Sequence, residues 1–362
     1  MRKIIVSVTN DITNDQRVAK VCNTLRSNGY FVLLIGRKLS NSKPLDLLYE
    51  TKRFSLFFNK GFLFYAEYNI RLFLFLLFAK FDILLSNDLD TLAPNFLISQ
   101  LRKKELIFDS HELFPEIPEL VNRPKTKKIW QWMEKNTVPH LKYCYTVSQS
   151  IAEYYKEKYG TDFAVVRNLP RKIDSYKLVK LPFNTTGKKI ILYQGAINIG
   201  RGLELMINTI EKLENCILLI VGDGDILQNI KEMVHKKELN SKVIFLGKRS
   251  PQELKGITPQ AHIGLSIEED LGLNYRYALP NKLFDYIQAE VPVITSNLPE
   301  MKQIVSLYSI GKVLEKRTPE YLAEAIKKVL ENDYSKNLFR AKTTLTWKKE
   351  EVILTSIIKK LG

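Results

Sequence analysis

Short apolar runs alternate with amphipathic helical patterns from the start of the chain, and this alternation limits the fold more than any other feature. Residues 3–9 and 30–36 are each predicted to form a strand. Between them, apolar side chains recur at helical spacing: Val18, Val21, Cys22 and Leu25. A strand–helix–strand unit of this kind requires a parallel sheet covered by helices, so the sequence predicts an α/β fold.

The chain has 362 residues, which indicates two domains of roughly equal size. Residues 1–168 are predicted to form the first α/β domain, and residues 189–340 a second one that opens with a strand at 190–195. The turn-rich stretch between them, 169–188, is the predicted linker. A last helix is predicted within 341–362, anchored by Trp347 and by apolar side chains further on.

Cysteine use and the first residues indicate a cytoplasmic protein. Cys22, Cys144 and Cys216 are scattered, without the paired spacing of a zinc site, as is typical of a reducing compartment. The first residues lack the long apolar region and cleavage site of a signal peptide, and are better interpreted as a strand.

The formal net charge of +16 indicates an anionic partner. Phosphorylated substrates, nucleic acid and an anionic membrane surface are the candidates. The basic residues are dispersed and no nucleic-acid-binding motif is present, so we expect no nucleic acid.

Residues 54–81 carry many aromatic side chains interleaved with Lys and Arg. The longest uninterrupted apolar run, 72–79, is far shorter than the ~20 residues of a transmembrane helix. Two interpretations stay open. The segment either lies peripherally on the inner face of the membrane, or forms a core helix whose aromatic side chains pack internally.

A helix that begins near Pro280 is the strongest candidate for a binding element. Pro suits a first helical turn, and Leu283 belongs to its predicted apolar face. Lys282 and Asp285 lie near its N-terminal end, where free N–H groups favour an anion. These groups suit the diphosphate and ribose of a nucleotide. A surface salt bridge between Lys282 and Asp285 is the alternative.

Residues 279–286, followed by 291–294, resemble the donor-site signature of GT-B glycosyltransferases of the retaining family 4 group. The resemblance implies two Rossmann-like domains facing across a cleft, with the C-terminal helix packing back on the first domain. It implies that Asp285 holds the donor ribose and that Asn281, Lys282 and Leu283 contact the donor. The family's E-x7-E motif is incomplete, since Tyr277 occupies its first acidic position.

The loop after residues 190–195 supports the same resemblance. Gly195 lets the backbone approach a phosphate, and Arg201 at a helix start supplies a charged donor. The family normally has a further Arg where this chain has Ala196, so Lys282 is the candidate for the missing charge. Further donor contacts are expected from three residues at strand ends: Gly222, Gly247 and Lys248.

The acceptor side is predicted in the first domain. Asp109, Ser110, His111 and Glu112 follow a strand at 106–108, and the resemblance implies that His111 contacts the donor sugar or the acceptor. An Asp/Ser helix cap beside an incidental histidine is the alternative. Asp15 and Arg17 open the first helix and are further acceptor-side candidates, and for Arg17 a solvated helix residue is the alternative.

Two acidic loops leave alternatives open. Asp88-Leu89-Asp90 has the D-x-D form with which GT-A transferases hold a metal, but the resemblance to GT-B proteins favours ordinary loop residues. We therefore expect no bound metal or other cofactor. Residues 268–270 form the second loop, which faces the donor sugar in relatives or is simply solvated.

The resemblance implies a retaining hexosyltransferase that moves a sugar from a UDP- or GDP-linked donor to a glycan or lipid-linked glycan, in bacterial surface polysaccharide synthesis. Arg201 and Lys282 would balance the charge on the leaving diphosphate, and His111 would position the sugar or acceptor. A nucleotide-sugar epimerase of the same shape, and a basic membrane- or nucleic-acid-binding scaffold without activity, are the alternatives.

Overall fold

The computed structural model describes residues 1–13, 15–117, 120 and 123–361. The chain divides into two compact units, one made of Met1–Asn168 with Lys348–Gly362 and the other of Leu169–Trp347. Each unit contains a parallel sheet with helices on it, which confirms the predicted pair of α/β domains.

Within the described residues, the sheet of the first unit has seven strands in the order β3-β2-β1-β4-β5-β6-β7, all parallel. The strands are β1 Lys3–Asp11, β2 Phe31–Lys38, β3 Glu50–Ser55, β4 Ile83–Asn87, β5 Glu105–Ser110, β6 Tyr143–Thr146 and β7 Ala164–Val165. The helices up to β7 are α1 Gln16–Ser27, α2 Gly61–Phe78, α3 Leu92–Arg102, α4 Pro124–Thr137 and α5 Gln149–Tyr159.

The sheet of the second unit has six described strands in the order β10-β9-β8-β11-β12-β13, again all parallel. The strands are β8 Lys189–Gln194, β9 Cys216–Val221, β10 Val243–Gly247, β11 Ile263–Ser266, β12 Val293–Ser296 and β13 Gly311–Leu314. The helices are α6 Leu203–Ile210, α7 Leu227–Lys236, α8 Pro251–Ile257, α9 Leu273–Arg276, α10 Asn281–Gln288, α11 Pro299–Tyr308, α12 Pro319–Leu330 and α13 Ser335–Thr344. The last helix of the chain is α14 Trp347–Lys359.

Strand order places one crevice in each unit. In the first sheet β1 lies beside β4, and in the second β8 lies beside β11, so the connections on either side of each pair run in opposite directions. Ligands of open α/β sheets bind outside the carboxyl ends of the strands at such a switch point. In the first unit the topology therefore brings together the residues that follow β1 and β4. In the second unit it brings together the residues that follow β8 and β11.

The predicted linker is not a free connection. Leu169 is fully buried and Leu181 is 8% exposed, both in the apolar core of the second unit around α10. The main-chain N–H of Val179 also donates to the carbonyl of Gly256 at 3.2 Å. Residues from 169 onward therefore belong to the second unit, because their apolar side chains complete its core.

The C-terminal boundary also differs from the predicted one at residue 341. Ala341 and Leu345 are buried in the core of the second unit, so α13 completes that unit. The chain joins the first unit only from Lys348, where Glu350 of α14 binds Arg167 with 2.7 Å between Oε1 and Nη2. The boundary was misplaced because both helices have similar apolar patterns, and only packing assigns each to a unit.

Helix α2, in the aromatic segment, has one buried face and one exposed apolar face. Phe64, Tyr68, Leu72 and Leu76 are buried and pack into the first unit. The opposite face exposes a stripe of large apolar side chains: Phe62, Leu63, Ile70, Leu74 and Phe78. Among the described helices, α2 is the one that is long and apolar enough to cross a membrane, judged by length and composition alone.

Candidate functional site

A pocket of about 330 Å³ opens where β8 ends and α10 begins. Its lining comes from Gln194, Gly195, Ala196, Arg201, Leu254, Pro280, Asn281, Lys282 and Asp285. The structure thus brings together several of the predicted donor residues, which lie almost a hundred positions apart in the chain. The pocket occupies the β8/β11 switch point, where a parallel sheet is expected to bind a ligand.

Helix α10 begins at the pocket because Pro280 has extended backbone geometry (φ −66°, ψ 138°) and serves as the N-cap. The N-terminus of a helix attracts anions through its free N–H groups and its dipole. Leu283 faces away from the pocket and is fully buried in the core. Its side chain therefore packs in the core, and its donor contact stays a prediction.

Two cations of the pocket converge on one buried carboxylate, that of Glu268. Lys282 Nζ lies 2.8 Å and Arg201 Nη1 3.8 Å from Glu268 Oε1. Burial would raise the pKa of Glu268, but the two positive charges outweigh it and hold the pKa below its ordinary value. Glu268 is thus ionised at neutral pH. The solvated-loop interpretation of residues 268–270 was wrong for this residue.

Lys282 itself is only 9% exposed, and its ammonium group lies 4.1 Å from the ring centroid of Tyr193. Its contact with Glu268 is an ion pair without a directed hydrogen bond, since Nζ has no hydrogen-bond partner among the described residues. The alternative of a surface salt bridge between Lys282 and Asp285 is excluded by this burial. A buried ammonium group with uncommitted donors is suited to an anionic ligand.

Asp285 lies exposed at the rim of the pocket. Gln194 Nε2 donates to its Oδ2 at 3.1 Å, while Gln194 Oε1 accepts from Thr258 Oγ1 at 2.8 Å. The bond to Thr258 orients the amide, so its nitrogen faces Asp285. Gln194 was missed from the sequence, where it is simply the last residue of a strand.

Tyr286 ties α10 to the two strands of the switch point. Its hydroxyl accepts from the main-chain N–H of Gln194 at 3.2 Å and lies within donating distance of the carbonyls of Leu192 and Leu265, at 3.2 and 3.3 Å. Gly264 makes room for the ring, since a Cβ there would lie 2.4 Å from it. Tyr286 therefore sets the position of the pocket's helix relative to its strands.

Gly222 packs directly against the backbone of Gly195, which lines the pocket. A Cβ on Gly222 would lie 1.8 Å from the carbonyl oxygen of Gly195, and Gly222 has a φ of +155°. Gly247, whose carbonyl accepts from Gly222 N–H at 3.0 Å, lies one strand further away. Neither Gly222, Gly247 nor the exposed Lys248 lines the pocket, so their donor contacts stay predictions.

The first unit buries a second polar cluster at the carboxyl ends of its strands. Arg17 donates from Nε to Asp109 Oδ2 at 3.0 Å and from Nη2 to Asp109 Oδ1 at 2.6 Å, and both side chains are almost fully buried. The solvated-helix interpretation of Arg17 was wrong. Arg17 and Asp109 are also inaccessible as acceptor contacts, because the long helix residue reaches inward to neutralise a buried carboxylate.

His111 is held between two carboxylates. Its Nε2 lies 3.0 Å from Asp109 Oδ2 and its Nδ1 lies 3.2 Å from Asp88 Oδ2, while its main-chain N–H donates to Asp88 Oδ1 at 2.7 Å. Burial would lower the pKa of His111, but Asp109 and Asp88 raise it to about 9. The imidazole is therefore cationic at neutral pH, and it is not incidental to a helix cap. Burial would raise the pKa of Asp109, but the positive charges and hydrogen bonds of Arg17 and His111 hold it at about 2.

The D-x-D acids have partners within the chain. Asp88 has φ 58° and ψ 168°, a region that is essentially restricted to glycine, and burial raises its pKa. Asp90 accepts a hydrogen bond from Thr9 at the end of β1, and burial raises its pKa to about 7. Among the described residues, no group of three or more His, Cys, Asp or Glu side chains is arranged to hold a metal ion.

The other two acceptor-side candidates are Asp15 and Glu112. Asp15 is the N-cap of α1, and its Oδ1 accepts from the N–H of Val18 at 3.0 Å. Glu112 is half-buried beside Asp88, and its charge contributes to the raised pKa of that residue. Asp15 therefore has a structural role that the helix start by itself explains.

Comparison with protein families matches almost the whole chain. Residues 16–175 match the family described as Glycosyltransferase Family 4, and residues 179–344 match Glycosyl transferases group 1. The chain therefore belongs to the glycosyltransferases of the group 1 and family 4 type, and is a transferase. The resemblance seen in the sequence is confirmed.

Individual relatives are distant. The uncharacterized glycosyltransferase MJ1607 of Methanocaldococcus jannaschii is 24% identical over 148 residues, or 40% of this chain, and the chain spans about a third (36%) of that relative's length. Among solved structures, sucrose-phosphate synthase from Thermosynechococcus elongatus aligns with a TM-score of 0.83 at 16% identity, covering 100% of this chain and 99% of that one. HepE from Anabaena, in complex with UDP and glucose, aligns with a TM-score of 0.75 at 13% identity, covering 100% of both chains. Identities this low show the fold alone, which is GT-B as predicted.

Proposed function

We propose that this glycosyltransferase moves a sugar from a UDP- or GDP-linked donor to a glycan or lipid-linked glycan, with retention at the anomeric carbon, in bacterial surface polysaccharide synthesis. The observation that carries the proposal is the convergence of Lys282, Arg201 and the N-terminus of α10 on one pocket, with Asp285 at its rim. The UDP complex of HepE supports a uridine nucleotide.

The residues of the pocket have distinct roles in this proposal. Lys282 and Arg201 bind the diphosphate and stabilise the negative charge that builds on it as the sugar–phosphate bond breaks. The carboxylate of Asp285 accepts hydrogen bonds from the ribose hydroxyls, and Gln194 holds that carboxylate in its orientation. His111 positions the sugar or the acceptor through its cationic imidazole. No metal or other cofactor enters the proposal, because side chains supply the positive charge.

The proposed acceptor lies at the inner face of the membrane. The exposed apolar side chains of α2, in the first unit, support this part of the proposal. Ile70, Leu74 and Phe78 are more than half exposed along one side of α2, over two turns. Lys60 and Lys80 flank the helix at its two ends, and Glu67, its acidic residue, pairs with Arg71 at 2.7 Å. An apolar stripe between cations suits a peripheral contact with anionic lipids.

A thermal-shift and calorimetric titration with UDP, GDP, ADP and CMP, each with and without EDTA, tests the donor site. A nucleotide at 100 times its Kd stabilises the protein by about 2.7 kcal/mol. We expect UDP or GDP to raise the melting temperature irrespective of EDTA, and Asp285→Ala and Lys282→Met to abolish the shift. Asp174→Ala and Lys302→Met remove exposed charges of the same unit and serve as controls.

The opposite outcomes separate the alternatives. A shift abolished by EDTA would indicate a bound metal, with Asp88 and Asp90 as the residues that hold it. No binding of any nucleotide would favour the scaffold interpretation. Conversion of a UDP-sugar to its epimer without an acceptor, detected by NMR, would favour the epimerase.

A further inference from the structure

Glu268 has a position that the proposed transfer does not by itself explain. Its side chain is fully buried, two residues beyond the end of β11, and its Oε1 faces both Lys282 and Arg201. A negative charge beside the two cations opposes the binding of a diphosphate, which is itself negative. A site selected only for tight anion binding would not contain it.

The carboxylate is held firmly in place. Ser266 Oγ donates to Glu268 Oε2 at 2.9 Å, so one oxygen is bound to its own strand. The main-chain carbonyl of Glu268 accepts from Arg317 Nη1 at 3.0 Å and from the hydroxyl of Ser296. The second oxygen, Oε1, is left for the cations and has no directed hydrogen bond among the described residues.

Besides Glu268, each of the two cations has an aromatic ring as a neighbour. Lys282 Nζ lies over the ring of Tyr193, and the guanidinium of Arg201 lies 5.1 Å from the ring centroid of Tyr275. Without Glu268, the buried ammonium of Lys282 and the partly exposed guanidinium of Arg201 would lose the carboxylate that both of them approach, which is unfavourable. With it, the three side chains carry a net charge of +1.

We propose that Glu268 is the resident counter-ion of the donor site, which keeps Lys282 and Arg201 in place while the pocket is empty and weakens their hold on the departing nucleoside diphosphate. This inference rests on the proposed function. Glu268 acts through the two cations and is a positioning residue. Its charge raises the Kd for the product, and product release is faster in consequence.

Titration of the full-length protein with UDP, and separately with GDP, tests this inference. Glu268→Gln keeps the shape and removes the charge, so we expect the nucleotide of the donor to bind at least about fivefold more tightly, because the removed charge lies in a poorly screened site. Dissociation slows accordingly, and KM and kcat for transfer both fall. Glu269→Gln, which alters the half-exposed neighbour that contacts Arg317 at 3.4 Å, should leave the affinity unchanged.

Unchanged or weaker binding by a folded Glu268→Gln variant would overturn the inference, since a merely structural role predicts loss of affinity. Should that variant not fold, Glu268→Asp is measured instead. Its carboxylate withdraws from the cations by one methylene, so tighter binding by a smaller factor is expected and weaker binding overturns the inference. If the wild type binds the nucleotide, Lys282→Met does not, and Glu268→Gln binds it no more tightly than the wild type, the counter-ion inference is refuted and the proposed donor site stands. Absence of any nucleotide binding refutes both proposals.

Discussion

Arg17 and Asp109 form a bidentate ion pair inside the first unit, with N–O distances of 2.6 and 3.0 Å, although 92 positions separate them in the chain. Arg17 Nη1 also donates to the carbonyl of Val166 at 2.9 Å, so one side chain links α1, β5 and the segment after β7. The pair neutralises a carboxylate that is completely buried beside His111. It therefore supports the cluster without being exposed to a ligand.

Loss of Arg17 should destabilise the protein severely. Arg17→Met removes the bidentate partner of the buried Asp109 and leaves His111 Nε2, at 3.0 Å, to offset its charge. Removing one partner of a buried pair costs about 3–5 kcal/mol in the free energy of unfolding. Urea denaturation measures this change. Lys172→Ala, which breaks an ion pair whose two side chains are more than half exposed, should cost less than about 1 kcal/mol. Similar losses in the two variants would contradict the burial of the Arg17 pair.

The titration of His111 should depend on Asp109. With its pKa raised to about 9, the imidazole of the folded protein stays cationic through neutral pH, and Asp109→Asn should lower that pKa toward the ordinary 6.5 or below. Proton–nitrogen correlation NMR of the imidazole measures both values. A wild-type pKa near 6.5 would show that the two carboxylates do not act on the ring.

The same shift makes a prediction about stability. Because the folded pKa lies above the unfolded one, the contribution of His111 is complete below about pH 6.5 and is lost as the pH rises to about 9. The difference in unfolding free energy between wild type and His111→Asn should therefore shrink over this range. A difference that grows with pH would contradict the assigned direction.

Gly222 and Gly247 should respond differently to alanine, although both have positive φ. A Cβ at Gly222 meets the carbonyl of Gly195 at 1.8 Å, whereas a Cβ at Gly247 meets no atom within 4 Å. Gly247→Ala should therefore cost only about 1–2 kcal/mol of left-handed backbone strain. Gly222→Ala should cost more and also displace Gly195 from the pocket. Urea denaturation and UDP titration of both variants measure these effects; equal losses would contradict the packing of Gly222 on Gly195.

Removing the hydroxyl of Tyr286 should loosen the pocket. Tyr286→Phe leaves the buried N–H of Gln194 without the acceptor that Tyr286 supplies, which costs about 1–3 kcal/mol in unfolding free energy. Because Gln194 orients Asp285, the affinity for UDP should fall as well. Tyr308→Phe, on the half-exposed end of α11, is the control. A Tyr286→Phe variant that is less stable but binds UDP as tightly as the wild type would show that the hydroxyl of Tyr286 stabilises the fold without shaping the pocket.

The apolar stripe of α2 should mediate vesicle binding. Replacing Phe62, Ile70, Leu74 and Phe78 with serine alters exposed side chains only, so the fold and UDP affinity should persist while flotation with phosphatidylglycerol vesicles is lost. Serine at Leu307 and Phe339, exposed in the second unit, is the matched control. Wild-type protein that fails to float would refute the membrane contact. A concentration-dependent dimer that the stripe variant abolishes would instead identify a second copy of the chain as its partner.

The sequence by itself determined the fold class and the place of helix α10. The strand–helix alternation, the apolar spacing of α1 and α10 and the glycine and proline positions act locally, so they can be read from neighbouring residues. Family resemblance in residues 279–296 added the glycosyltransferase class. These signals also gave Lys282, Asp285, Gly195 and Arg201, because helix starts and strand ends are where such sheets bind ligands.

Only the tertiary structure decided which charges are buried together. In the sequence, Arg17 is typical of a solvated helix residue, and Glu268 is one of three acids in a loop. The strand order places Asp109 beside Arg17 and Lys282 beside Glu268. The units' boundaries were decided in the same way, by whether apolar side chains such as Leu181 and Leu345 complete one core or the other. Burial and long-range pairing depend on which strand ends the topology places side by side, and no spacing along the chain encodes that.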